Sequence, residues 1–183
     1  MPKETKPRTT DAPQPGGWLS VGVDPGRKGA VAGLTSDGLA WGKVVDTKEP
    51  DEINAAMVGL YTALWKHAKT EAASYDTRVF IEDVFSRPGE GHKGVFSFGR
   101  AKGTVHGWMS REFKAERVSF ILPQRWQSEF FGSDLHGVEA DMRKEMIRKA
   151  AKKRWPKAPL SAVQDEAVAA ALYIAACGAR TAW

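Results

Sequence analysis

Leu19, Val21 and Val23 alternate with small or polar residues over Trp18–Asp24, a period of two that predicts a half-buried strand. Pro25-Gly26 turns the chain, and Gly29–Thr35 reads as a second strand. Asp37-Gly38 is a hairpin signal, leading into a third strand over Leu39–Val45. From Pro50 the period changes. Ile53, Met57, Leu60, Tyr61 and Leu64 recur at helical spacing, predicting a helix to about Glu71. Arg78-Val79-Phe80-Ile81 is a continuous run ending in Glu82 and predicts a fourth strand. A glycine-rich loop over Phe85–Gly94 and a helix over about Val95–Lys114 follow, then a fifth strand over Val118–Leu122. Pro123 suits the first turn of a short helix carrying Trp126 and Phe130. Two more helices are predicted, a basic one over about Val138–Trp155 and an alanine-rich one over about Ala162–Ala176.

Three antiparallel strands, then two strands each reached through a helix, predict an α/β fold: a five-stranded mixed sheet with helices on its faces. The 183 residues suit one domain, over 17–183. Residues 1–16 hold Pro2, Pro7, Pro13 and Pro15 and no large aliphatic except Met1, the composition of a disordered tail. No run of about 18 apolar residues predicts a membrane span, and no apolar signal core is present. The single cysteine, Cys177, precludes an internal disulfide and fits a reducing cytoplasm.

Net charge is +5, which favours a polyanionic partner. The charge is local: Arg143 to Lys157 holds eight basic residues and one acid, more than the net charge of the whole chain. Lys144, Arg148 and Lys152 fall at i, i+4 and i+8, one stripe of that helix, with Met146, Ile147 and Ala150 opposite. Arg87, Lys93, Arg100 and Lys102 follow the fourth strand, where they could neutralise phosphates.

The acids carry the candidate chemistry. Asp24 and Glu82 each end an apolar strand, and Asp165 and Glu166 open an apolar helix. An acid at a strand end can simply cap a turn. Three such positions in one small domain point further, because buried carboxylates repel unless a cation or proton offsets them. Carboxylates without His or Cys suit hard ions such as Mg²⁺ or Mn²⁺. The spacing predicts that Asp24, Glu82 and Asp165 converge on one cation site. None of the four histidines has a metal-ligand spacing.

Val21-Gly22-Val23-Asp24-Pro25-Gly26, Phe80-Ile81-Glu82-Asp83-Val84-Phe85 and Phe98-Gly99-Arg100-Ala101-Lys102-Gly103 resemble the RuvC-like resolvases, most closely the phage-type members. Leu122-Pro123-Gln124-Arg125-Trp126 and Arg154-Trp155-Pro156 are similar to the same group. The resemblance spans about residues 18–178. It implies a ribonuclease-H-like fold, a homodimer, two divalent cations per site and paired nicks across a four-way DNA junction in the host cytoplasm. Asp24 and Glu82 match the family's metal ligands, and Phe85 sits where an aromatic stacks on junction bases. The last helix departs from the pattern. Relatives carry two acids, or a His and an acid, several residues apart there; here Asp165 and Glu166 are adjacent, and Ala170 falls near the second place.

The helix over Val95–Lys114 is the expected dimer interface, since Phe96, Phe98, Val105 and Trp108 exceed one face's apolar need. Gly99, Gly103 and Gly107 recur every four residues, allowing close helix approach. Packing of that stripe on the sheet is the alternative. Two other functions remain open. A non-cleaving junction binder would suit the departure in the last helix. An actin-like or sugar-kinase-type ATPase would share the fold, but it needs two related domains and a second phosphate loop, so no nucleotide cofactor is expected.

Overall fold

Leu19, Val21 and Val23 lie on one face of the first strand and Ser20, Gly22 and Asp24 on the other, and this parity decides where the acids go. The structure, a computed structural model, describes residues 17–26, 28–69, 75–85, 91–160 and 165–183. The tail expected over residues 1–16 and the candidate Arg87 lie outside them. The strands are β1 (Gly17–Asp24), β2 (Gly29–Thr35), β3 (Ala40–Val45), β4 (Tyr75–Glu82) and β5 (Val118–Ile121). The helices are α1 (Pro50–Ala68), α2 (His92–Phe113), α3 (Pro123–Phe131), α4 (Ala140–Arg154) and α5 (Glu166–Ala182).

The five strands form one sheet in the order β3-β2-β1-β4-β5. Short turns make β1, β2 and β3 antiparallel, with Gly38 at φ 96° in the second turn. Helical crossovers make β4 parallel to β1, and β5 parallel to β4. This is the five-stranded mixed sheet expected from the sequence. Among the described residues no helix is long and apolar enough to cross a membrane.

Helices α1 and α2 cover the face carrying Leu19, Val21 and Val23, where Ile53, Leu60, Leu64, Val105 and Met109 are fully buried. Helix α5 covers the other face and is itself overlaid by α3 and α4. It is therefore buried nearly all round, which explains its alanine content. Close approach to the sheet is set at Gly22, where a Cβ would collide with the Ala171 carbonyl and the Ala175 amide. Ser20 Oγ donates to the Ala175 carbonyl at 2.7 Å beside it.

Several boundaries differ from the sequence pattern. β4 begins at Tyr75, before the apolar run, because Gly17↔Tyr75 to Ser20↔Arg78 already pair with β1. α2 begins at His92 rather than near Val95. α5 continues past Ala176 to Ala182: Gly178 packs against the Phe80 ring and is a contact residue inside the helix, not its end.

Candidate active site

β1 and β4 are parallel neighbours with Val23 opposite Ile81, so the next residues, Asp24 and Glu82, end adjacent strands on the α5 face. The turn after β1 fixes Asp24. The Gly26 amide donates to Asp24 Oδ1 at 3.1 Å, and Thr47 Oγ1 donates to the Gly26 carbonyl at 2.9 Å. Glu82 is deeper, only 8% exposed. Its Oε1 accepts a 2.8 Å bond from Nε1 of Trp126, itself 2% exposed on α3.

Burial pushes both carboxyls above the ordinary range. Glu82 is raised first by burial and then by the Asp24 charge, and the Trp126 bond offsets part of this. Asp24 is raised by burial and partly offset by the Gly26 amide. Among the described residues neither acid forms an ion pair with a Lys, Arg or His. A divalent cation fits such a pair of repelling oxygen donors.

Asp24 opens into a cleft of about 720 Å³ that Trp126, Lys28, Arg143, Lys144 and Glu166 also line. Glu166 is the acid that α5 contributes to this cleft, with its Oε2 3.8 Å from Lys144 Nζ. Asp165 is the N-cap residue of α5, makes no side-chain capping bond, and acts electrostatically on Arg148. Among the described residues no group of three or more His, Cys, Asp or Glu stands close enough to hold a metal. The structure thus brings Asp24 and Glu82 together at the ends of adjacent strands and sets Glu166 in the cleft lining; it does not gather Asp165 with them into one group of three acids. Ala170, one turn along α5 from Glu166, lines the cleft as well.

The candidate DNA-contact residues fall into different settings. Phe85 is 67% exposed, so it is not a core aromatic. Lys102 is hydrogen-bonded to Asp83 and lies 5.4 Å from the Phe85 ring centroid and 4.8 Å from that of Phe120. Lys93 is exposed in the first turn of α2, and Arg100 reaches Glu49 at 3.7 Å. On α4, Lys144 faces the cleft, whereas Arg148 forms a two-pronged pair with Glu145 at 2.8 Å and is 16% exposed. Lys152 is exposed. The expected stripe is therefore divided between cleft, internal pair and surface.

Helix α2 is divided too. Val105 is fully buried on the sheet, and Trp108, half-buried, packs on the same core. Phe96 stays 78% exposed, and open space surrounds Gly99, Gly103 and Gly107.

Sequence reasoning missed three cleft residues. Trp126 was legible only as an apolar helix position; its indole N–H, which needs a partner when buried, was the available signal. Lys28 and Arg143 were hidden because charge alone does not tell a cleft from a solvated surface. Arg143 donates to the Val138 carbonyl at 2.9 Å, while its Nε is buried without a partner among the described residues.

Strand order, helix placement and acids on β1, β4 and α5 define an α/β domain, a five-stranded mixed sheet flanked by helices, with a candidate acidic centre. Two solved structures similar to the chain are both of RuvC. One is "T. thermophilus RuvC in complex with Holliday junction substrate", 19% identical over 90% of this chain and 96% of that one, with a TM-score of 0.46. The other is "Thermus thermophilus RuvC structure", 22% identical over 89% of this chain and 96% of that one, with a TM-score of 0.45. No protein-family model matches the chain, and no curated protein matches its sequence.

Proposed function

We propose that this chain is a divalent-metal-dependent endonuclease acting on branched DNA, with the four-way junction as its main substrate. The observation that carries the reading is that Asp24 and Glu82 end adjacent parallel strands on one face, beside a cleft lined by Glu166, Lys28, Arg143 and Lys144. Asp24 and Glu82, the two acids brought together, would hold a Mg²⁺ or Mn²⁺ ion, and Glu166 and Asp165 at the start of α5 would add negative charge on that side of the cleft. Bound there, such ions activate water and stabilise the leaving oxygen of a phosphodiester. Trp126 orients Glu82, and the Gly26 amide orients Asp24. Lys28, Arg143 and Lys144 draw a phosphate into the cleft. Phe85, exposed beside Lys102, offers a ring on which an unpaired base can stack.

Paired nicks need two sites related by a two-fold axis, which is the symmetry of a homodimer on a junction. The exposed face of α2 around Phe96 and Gly103 suits that contact.

A labelled four-way junction incubated with the protein and Mn²⁺ tests the reading. Nicks by the parent, and none by Asp24→Asn with junction binding retained, are expected. A mobility shift by the parent without nicks assigns the chain to the non-cleaving junction binders instead.

A further inference from the structure

Trp18 is the second residue of β1 and Asp24 its last, so the two lie roughly 20 Å apart at about 3.3 Å per residue. Around Trp18, at the end of the sheet remote from the acids, a second cavity of about 360 Å³ is lined by Leu34, Trp155, Trp183, Arg154 and Arg180. Three indoles and two guanidiniums thus line one small cavity.

The aromatic walls are held in place. Trp18 and Trp183 are stacked, 5.5 Å between centroids and 20° between planes. Trp183 Nε1 donates to Asp76 Oδ2 at 2.9 Å, and the Arg78 guanidinium lies 5.5 Å from the Trp183 ring. Trp155 meets Tyr173 edge-to-face at 5.0 Å. The cations are held as well. Arg154 and Arg180 both lie against the Phe130 ring, at 5.2 and 4.9 Å from its centroid, and Arg154 also lies 5.3 Å from the Trp155 ring. Two guanidiniums gathered on one ring repel each other. Glu129 pairs with Arg180 at 3.1 Å, whereas among the described residues no acid pairs with Arg154. One positive charge beside the cavity is thus left for an anion.

We propose that this cavity binds a nucleotide, its base against the indole walls and its phosphate on Arg154 and Arg180. Base–indole stacking supplies affinity without hydrogen-bonded readout, and a guanidinium fork matches phosphate oxygens. The volume is within the range of small-ligand sites. The nucleotide can be free or part of a single strand, because both present the same base and phosphate. The inference does not rest on the nuclease reading.

The test uses the full chain in EDTA, with indole fluorescence and titration calorimetry. Deoxyadenosine monophosphate should quench fluorescence and bind, while adenosine and inorganic phosphate should each bind at least about tenfold more weakly. Arg154→Gln and, separately, Arg180→Gln should weaken the nucleotide by about tenfold or more with the melting temperature held. Either variant alone suffices if the other melts early. A short single-stranded oligonucleotide that displaces the nucleotide from the parent identifies a strand as the source; failure to displace identifies a free nucleotide. The proposal is overturned if the nucleotide does not bind at millimolar concentration, if both folded variants bind it like the parent, or if N-acetyltryptophan, also planar and anionic, binds as tightly.

Discussion

Trp126 on α3 donates its indole N–H to Glu82 at the end of β4, a 2.8 Å bond formed inside the protein. The bond positions one Glu82 oxygen and stabilises its charged form. Trp126→Phe keeps the apolar ring and removes the donor. It should cost about 1–3 kcal/mol in denaturant unfolding, the penalty for a buried acceptor left unmade. It should also raise the Glu82 carboxyl further, so that more Mn²⁺ is needed at neutral pH to stabilise the variant. A Phe variant with the parent's stability and Mn²⁺ requirement would show that the bond positions nothing.

The raised Glu82 carboxyl makes stability depend on pH in a defined direction. Burial, then the Asp24 charge, holds its folded value above that of the unfolded chain. Below the unfolded value, about 4.3, both states are protonated and the contribution to stability is fully present. As pH rises from there through the folded value, the unfolded chain releases its proton first, and this stability is lost. Asp24 is shifted in the same direction. The metal-free protein should therefore lose stability from mildly acid to mildly alkaline pH. Glu82→Gln should flatten that slope, and added Mn²⁺ should stabilise the parent more at the alkaline end. Unfolding midpoints across pH in EDTA measure this, and an unchanged slope in the Gln variant would reject Glu82 as its source.

Glu166, not Asp165, lines the cleft with Asp24. Glu166→Gln should lower junction cleavage by about 10- to 100-fold or more, the scale seen when support for a metal site is lost. Asp165→Asn should lower it less, because its charge acts on Arg148. Cleavage kinetics at several Mn²⁺ concentrations separate the two. Inactive Asp165→Asn beside fully active Glu166→Gln would reverse the assignment.

Asp24 and Glu82 were legible because strand periodicity is exact: a two-residue repeat fixes the face of each side chain, and both strands end in an acid. The mixed sheet was legible for a related reason, since short turns force antiparallel neighbours and helical crossovers parallel ones. The third acid was not. Asp165 is the N-cap of α5 and Glu166 its first residue, and the packing of α5 against β1 at Gly22 decides which of them meets the cleft. The setting of each basic residue on α4 was not legible either. Helical spacing placed Lys144, Arg148 and Lys152 on one side, but the local Glu145 draws Arg148 into an internal pair.

That division yields a prediction for α4. Lys144→Gln should weaken binding to junction and duplex alike and reduce the log–log salt slope by about 0.9, as for one lost phosphate contact. Arg148→Gln should leave the salt slope near the parent's and lower the melting temperature, because it breaks the pair with Glu145. Binding isotherms at several salt concentrations, with melting curves for both variants, decide it. A salt slope reduced only in the Arg148 variant would move the phosphate contact from Lys144 to Arg148.

Ala170 offers a gain-of-function test of the same cleft. It lies four residues after Glu166, on the same side of α5, and it lines the cleft with Asp24. A carboxylate at this position would add an oxygen donor beside the acids already present. Ala170→Asp should therefore destabilise the metal-free protein at neutral pH, because a further negative charge joins a repelling pair. In Mn²⁺ the sign should reverse, with a larger rise in melting temperature than the parent shows at equal metal concentration. Junction cleavage should saturate at lower Mn²⁺. Calorimetric melting with and without Mn²⁺, alongside cleavage rates, reads both effects. If Ala170→Asp lowers stability equally with and without the ion, its carboxylate does not share a cation with Asp24.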